Sequence, residues 1–152
     1  MKKLIRRILL LNLILIVSGI IFFFSYSNSL NGVNHTTLGY YEQLKGELKN
    51  KGFKPSLVVI SAKRANWHNS LLTSFGAASN SQHLTGTAID IMVLDVNEDG
   101  RMNDKDVNVV VSILEGLIGS KGGIGTYKME YLIWNRQMVH FDSRGNKARW
   151  NR

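Results

Sequence analysis

The sequence predicts an α+β domain, a small and mostly antiparallel sheet with flanking helices, preceded by an N-terminal membrane helix. Three observations lead there. One long apolar run is confined to the start of the chain, two later segments space apolar residues at helical intervals, and short β-branched runs with period-two alternation recur further on. With the apolar start set aside, the 152-residue chain leaves roughly 110–125 residues, enough for a single core.

Lys2, Lys3, Arg6 and Arg7 precede the run from Ile8 to Phe24, whose clearly polar members are Asn12 and Ser18. At about 17 residues the run lies between a long signal h-region and a short transmembrane helix. Residues 1–27 are therefore a signal peptide or a signal anchor, with the balance toward an uncleaved anchor. Positive charge before the run keeps that end in the cytoplasm and sends the rest outward, into the cell envelope. Residues 28–37 are polar and read as a linker, and the domain proper occupies 38–152.

Within that domain, Leu38–Asn50 places Tyr41, Leu44 and Leu48 on one helical face and stops at Gly52. Ser56–Ser61 is a β-branched strand, and Arg64–Phe75 a second helix closed by Gly76. Ala77–Gln82 forms a Ser/Asn-rich loop. Thr87–Val93 is a strand running into an acidic turn at Asp95, and Val107–Ile118 is a third helix. Gly119–Gly125 breaks the pattern. Tyr131–Trp134 and Met138–Phe141 read as two strands joined by a turn at Asn135-Arg136-Gln137.

The net charge of +8 and pI of 9.9 favour an anionic neighbour. The basic residues gather only at the termini, as Lys2-Lys3-Arg6-Arg7 and Arg144-Lys147-Arg149-Arg152, and no nucleic-acid module is present, so nucleic acid is not the expected partner. With no cysteine there is neither a disulfide framework nor a lipid-attachment thiol, and any metal must use histidine and carboxylate.

Such ligands stand at telling places. Alternation along Ala88–Val93 sends Ile89, Ile91 and Val93 to the core and leaves Asp90 on the other face. In Met138–Asp142 the same rule pairs His140 with Asp142 and gives Val139 and Phe141 to the core. His83, in the loop entering the first of these strands, can join them. Taken singly each reads as a polar surface residue. Together, two imidazoles and one carboxylate suit zinc, and three protein ligands leave a fourth tetrahedral position open for water.

The pattern Ser81-x-His83-x-x-Gly86-x-Ala88-x-Asp90, followed by Val139-His140-x-Asp142, resembles the D-alanyl-D-alanine metallopeptidase group. That group includes the vancomycin-resistance dipeptidases, murein endopeptidases and the hedgehog signalling domain. Ser61-x-x-Arg64, Asn69, Gly122-Gly123-Ile124-Gly125 and Arg149-Trp150 extend the likeness from about Ser56 to Trp150. The resemblance implies the zinc-peptidase fold, zinc on His83, Asp90 and His140, and Arg64 at the substrate carbonyl as it becomes an oxyanion. It also implies a peptidoglycan peptide as substrate. Many members carry a glutamate or histidine two or three residues before the last ligand as proton acceptor. Here Gln137 and Met138 stand in those places, and neither is a base. Asp142 is the remaining candidate on the face of His140, as base or as a group that orients the imidazole, with Glu130 a more distant one. His35 and His68 match nothing in the pattern and are expected to be exposed.

A second motif spans residues 95–106. Asp95, Asn97, Asp99, Asn103 and Asp106 occupy positions one, three, five, nine and twelve, Arg101 offers its backbone carbonyl, and Gly100 takes position six. This is a calcium loop in pattern, resembling one dockerin repeat, set against the alternative of an acidic turn that caps a helix. The functional expectation is a zinc-dependent carboxypeptidase or endopeptidase acting on murein and braced by calcium. Its alternative is a noncatalytic envelope module that keeps the metals and binds wall peptide or a protein partner.

Overall fold

The computed structural model describes residues 2–27, 29–74, 78–127 and 137–152. Its elements are α1 (Lys2–Ser27), α2 (His35–Asn50), β1 (Leu57–Ser61), α3 (Asn66–Thr73), β2 (Ala88–Val93), α4 (Asp104–Ile118), β3 (Gly123–Tyr127), β4 (Met138–Asp142) and β5 (Ala148–Asn151). The strands form one sheet in the order β1-β2-β4-β3-β5, antiparallel throughout except for the β3–β5 pair. The α+β class and the mostly antiparallel sheet are thus as the sequence predicts.

The sheet divides its labour by alternation. Ile89, Ile91, Val93, Val139 and Phe141 face one side and are fully buried. Onto them pack Tyr41, Leu44 and Leu48 of α2 and Val107, Val110, Leu114 and Ile118 of α4, the apolar stripes of two amphipathic helices. The opposite side carries the polar residues. Rows of directly opposed residues cross the sheet there: Ser61, Asp90, His140, Gly125 and Trp150 form one, and Val58, Met92, Met138 and Tyr127 the next.

Several boundaries differ from the sequence expectation, each for a local reason. Helix α2 begins at His35, inside the stretch read as linker, because the Asn34 side chain accepts from the Thr37 amide and caps it. Thr37 is itself buried, hydrogen-bonded to the Thr87 carbonyl and the Ser143 hydroxyl. Helix α3 starts only at Asn66, since Arg64 leaves the helical path to bond across the sheet, and it runs to Thr73. Helix α4 starts at Asp104 rather than Val107, with Asn103 and Asp106 making a reciprocal capping box. Gly123–Tyr127, whose first three residues fall in the expected break Gly119–Gly125, is a strand, and Ala148–Asn151 is a strand that periodicity did not reveal. Strand β4 therefore pairs with β3 and β2. The expected strand Tyr131–Trp134, the turn residues Asn135 and Arg136, and Glu130 lie outside the described residues. His35 is exposed as expected, whereas His68, also expected to be exposed, is buried on α3.

In α1 the described side chains from Ile8 to Ile20 are all exposed, Leu9, Leu11 and Leu15 among them. Among the described residues, no helix is long and apolar enough to cross a membrane.

Candidate metal centre

The row Ser61–Asp90–His140 is the floor of the site. A bulge between Val59 and Ser61 makes Ser61, not Ile60, the partner of Asp90. That extra residue aims the end of β1 at the polar side, and three groups from it serve the site. The Arg64 Nε donates to Ser61 Oγ at 2.8 Å, and its Nη2 donates to Asp90 Oδ2 at 2.8 Å. The Arg64 amide holds the His83 carbonyl at 2.9 Å. The Ala62 carbonyl lies 2.6 Å from His83 Nδ1. His83 reaches the floor from the turn before β2, a turn further secured by Asn69, whose Nδ2 donates to the carbonyls of Ala78 and Ser79.

His83, Asp90 and His140 are all buried, and one ligand atom from each lies within 4.8 Å of the others. His83 Nε2 is 3.1 Å from Asp90 Oδ2, and His140 Nδ1 is 2.7 Å from Asp90 Oδ1. The outer nitrogens decide the chemistry of the inner ones. A carbonyl can only accept, so the proton on His83 belongs on Nδ1, toward Ala62. His140 Nε2 lies 3.0 Å from Asp142 Oδ2, likewise an acceptor, so that nitrogen carries a proton too. Both lone pairs available for a cation then converge on the Asp90 carboxylate. The donor set therefore fits a divalent metal with nitrogen and oxygen ligands and an open position.

Protons compete with a cation for those two lone pairs, because the carboxylate draws positive charge to the site. Burial would push the Asp90 carboxyl up, but the His83 charge and the His140 hydrogen bond hold it well below the usual carboxylate range. Burial would likewise depress His140, yet its hydrogen bonds to Asp142 and Asp90 outweigh that and raise it to about 9.

Asp142 sits behind this arrangement. It is fully buried, and its oxygens accept from the amides of Gly123 and Arg144, from the Arg144 guanidinium and from His140. Gly123 is opposite in kind, since a Cβ there would fall inside the Asp142 carboxylate. Arg144, read in the sequence only as part of a basic terminus, is thus the counter-ion of Asp142, two residues along the chain. Trp150, the Ala62 carbonyl and Tyr127 also border the site, and no periodicity in the sequence marked them for it.

The residues of the 95–106 loop lie apart from this floor, at the start of α4. The Asp95 carboxylate accepts from the amides of Asp99 and Gly100, and Asp99 accepts from Arg101. Asp106 is fully buried and accepts from the amides of Val96, Asn97 and Asn103.

No curated protein matches the chain. The family model described as Peptidase M15 matches residues 28–127, a stretch that contains Arg64, His83 and Asp90 and stops short of His140, which the β2–β4 register then brings to them. The five-stranded α+β architecture is consistent with the fold of those peptidases, and the His-Asp-His centre is compatible with a zinc metallopeptidase. The chain belongs to the Peptidase M15 family.

Proposed function

We propose that this metallopeptidase uses zinc to cleave peptidoglycan stem peptides or their cross-links outside the cytoplasmic membrane. The observation that carries the reading is the orientation of the two imidazoles, each fixed through its outer nitrogen so that both lone pairs face Asp90. Zinc held by His83, Asp90 and His140 would supply a Lewis acid and a water ionisable near neutral pH. Arg64 commits Nε to Ser61 and Nη2 to Asp90, which leaves Nη1 to meet a substrate carbonyl at the edge of the centre. Asp142, with its oxygens already engaged, acts by holding His140 rather than by taking a proton. Beside the ligands, Val58, Met92, Met138 and Tyr127 form a part-exposed and largely apolar strip, with Val58 at 40 % exposure, that suits the methyl side chains of alanine.

Two further elements belong to this reading. Lys2, Lys3, Arg6 and Arg7 ahead of the apolar run Ile8–Phe24 support an envelope location with the domain outside. Calcium at Asp95, Asn97, Asp99, the Arg101 carbonyl, Asn103 and Asp106 would brace the turn between β2 and α4. The oxygen spacing supports it, as does Gly100, whose φ of +79° allows the sharp turn at position six.

A noncatalytic wall-binding module is the second reading, favoured by Gln137 and Met138 where a proton acceptor is expected. Incubating the full chain in detergent micelles with purified sacculi separates the two. Muropeptides trimmed or released with zinc, and not after chelation, are expected. Unaltered muropeptides under every metal condition would overturn the peptidase reading for murein.

A further inference from the structure

Strand β5 places Trp150 opposite Gly125 of β3, next to His140 in the same cross-sheet row. Gly125 has no side chain to hold the indole off, and a Cβ there would fall inside it. The indole therefore lies across β3 and reaches the His140 ring at 5.2 Å between centroids. The Arg144 guanidinium, already bound to Asp142, sits 5.2 Å from the indole centroid. This packing aims the indole edge, and Trp150 Nε1 donates to the Tyr127 hydroxyl at 2.9 Å.

Tyr127 stands on the polar side of the sheet, one row from His140 and opposite Met138. Its hydroxyl is held by an indole that itself packs against the His140 ring, so it lies beside the metal centre. With one lone pair taken by the indole, the phenol keeps its own O–H to give, and no described residue accepts it.

We infer that Tyr127 is a catalytic hydrogen-bond donor to the carbonyl oxygen of the scissile peptide as that oxygen gains negative charge. Trp150 is the positioning residue that sets the direction of that O–H. The assignment rests on the peptidase reading of the site. It gives Tyr127 the task of an oxyanion-hole donor, acting from the opposite side of the ligands to Arg64.

The test compares full-length wild type, Tyr127→Phe, Trp150→Phe and the double variant, each loaded with zinc in detergent micelles. Acetohydroxamate, an anion whose carbonyl oxygen stands in for the developing oxyanion, is titrated by calorimetry, and sacculus digestion is followed in parallel. Tyr127→Phe is expected to keep its zinc, to bind acetohydroxamate about tenfold more weakly, and to lose roughly 10²-fold in kcat with KM little changed. Trp150→Phe should cost less, and its effect should vanish in the Tyr127→Phe background, as expected of a residue acting through another. Equal acetohydroxamate affinity in Tyr127→Phe and wild type overturns the assignment, and so does loss of zinc from Tyr127→Phe. Wild type that binds acetohydroxamate but leaves sacculi intact sinks the murein substrate alone, and the hydroxamate comparison still decides the role of Tyr127.

Discussion

Replacing Asp142 by asparagine isolates the group that orients His140 from the groups that bind the cation. The substitution keeps the shape, the oxygen facing the Gly123 amide and the packing of a fully buried side chain. It changes what His140 Nε2 meets at 3.0 Å from an obligate acceptor to an amide that can present N–H instead. Where the amide donates, the imidazole proton moves to Nδ1, the nitrogen that faces Asp90 at 2.7 Å, and the lone pair is lost to the centre. Loss of such an orienting partner weakens metal binding by roughly 10- to 100-fold, about 1.4 to 2.7 kcal/mol. The variant also leaves Arg144 without its carboxylate, which costs folding stability about 1–3 kcal/mol. Zinc affinity measured by competition with a chromophoric chelator reads the first effect, and thermal unfolding in the presence of a chelator reads the second. A folded Asp142→Asn protein with wild-type zinc affinity would refute the orienting role and reopen the question of what Asp142 does.

His83→Ala removes a ligand rather than its support, so its loss of zinc affinity should exceed the roughly hundredfold bound for an orienting group. Unchanged zinc content by elemental analysis would remove His83 from the centre. Asp99→Ala should abolish a calcium-dependent rise in melting temperature, and a rise that persists in the variant is incompatible with calcium at residues 95–106. Gly125→Ala would drive a methyl into the Trp150 indole, with an expected cost of about 1–3 kcal/mol and a shift in tryptophan fluorescence. Wild-type stability and emission in that variant would mean that the indole does not lie over β3.

The ligand set was legible in the sequence because two of its members stand out by alternation and the likeness to the metallopeptidase pattern joins His83 to them. Strand alternation separates Asp90 from Ile89 and Ile91, and His140 from Val139 and Phe141, without knowledge of any partner strand. The helices of the core were legible for the same reason, their apolar spacing being an intrinsic property of the segment. Their starts were less so, because Asn34 and Asn103 act through side-chain caps whose effect is one turn long and competes with the apolar pattern.

What the tertiary structure alone decided is everything that depends on a neighbour far along the chain. Gly122-Gly123-Ile124-Gly125 has poor intrinsic strand character and reads as a break. It is a strand because β4 and β5 flank it, and its glycines are required by Asp142 and Trp150 lying over them. His68 has no apolar pattern to announce its burial, which comes from the surroundings of α3. Trp150 and Tyr127 acquire their bearing on the metal centre only when β3, β4 and β5 are placed side by side. By itself, then, the sequence indicated an α+β domain and, through alternation, donor chemistry and the likeness to the metallopeptidase pattern, His83, Asp90 and His140 as ligands. The fold decided how those ligands are oriented and walled, since the Ala62 carbonyl behind His83 and the Trp150 indole across Gly125 come from segments distant in the chain.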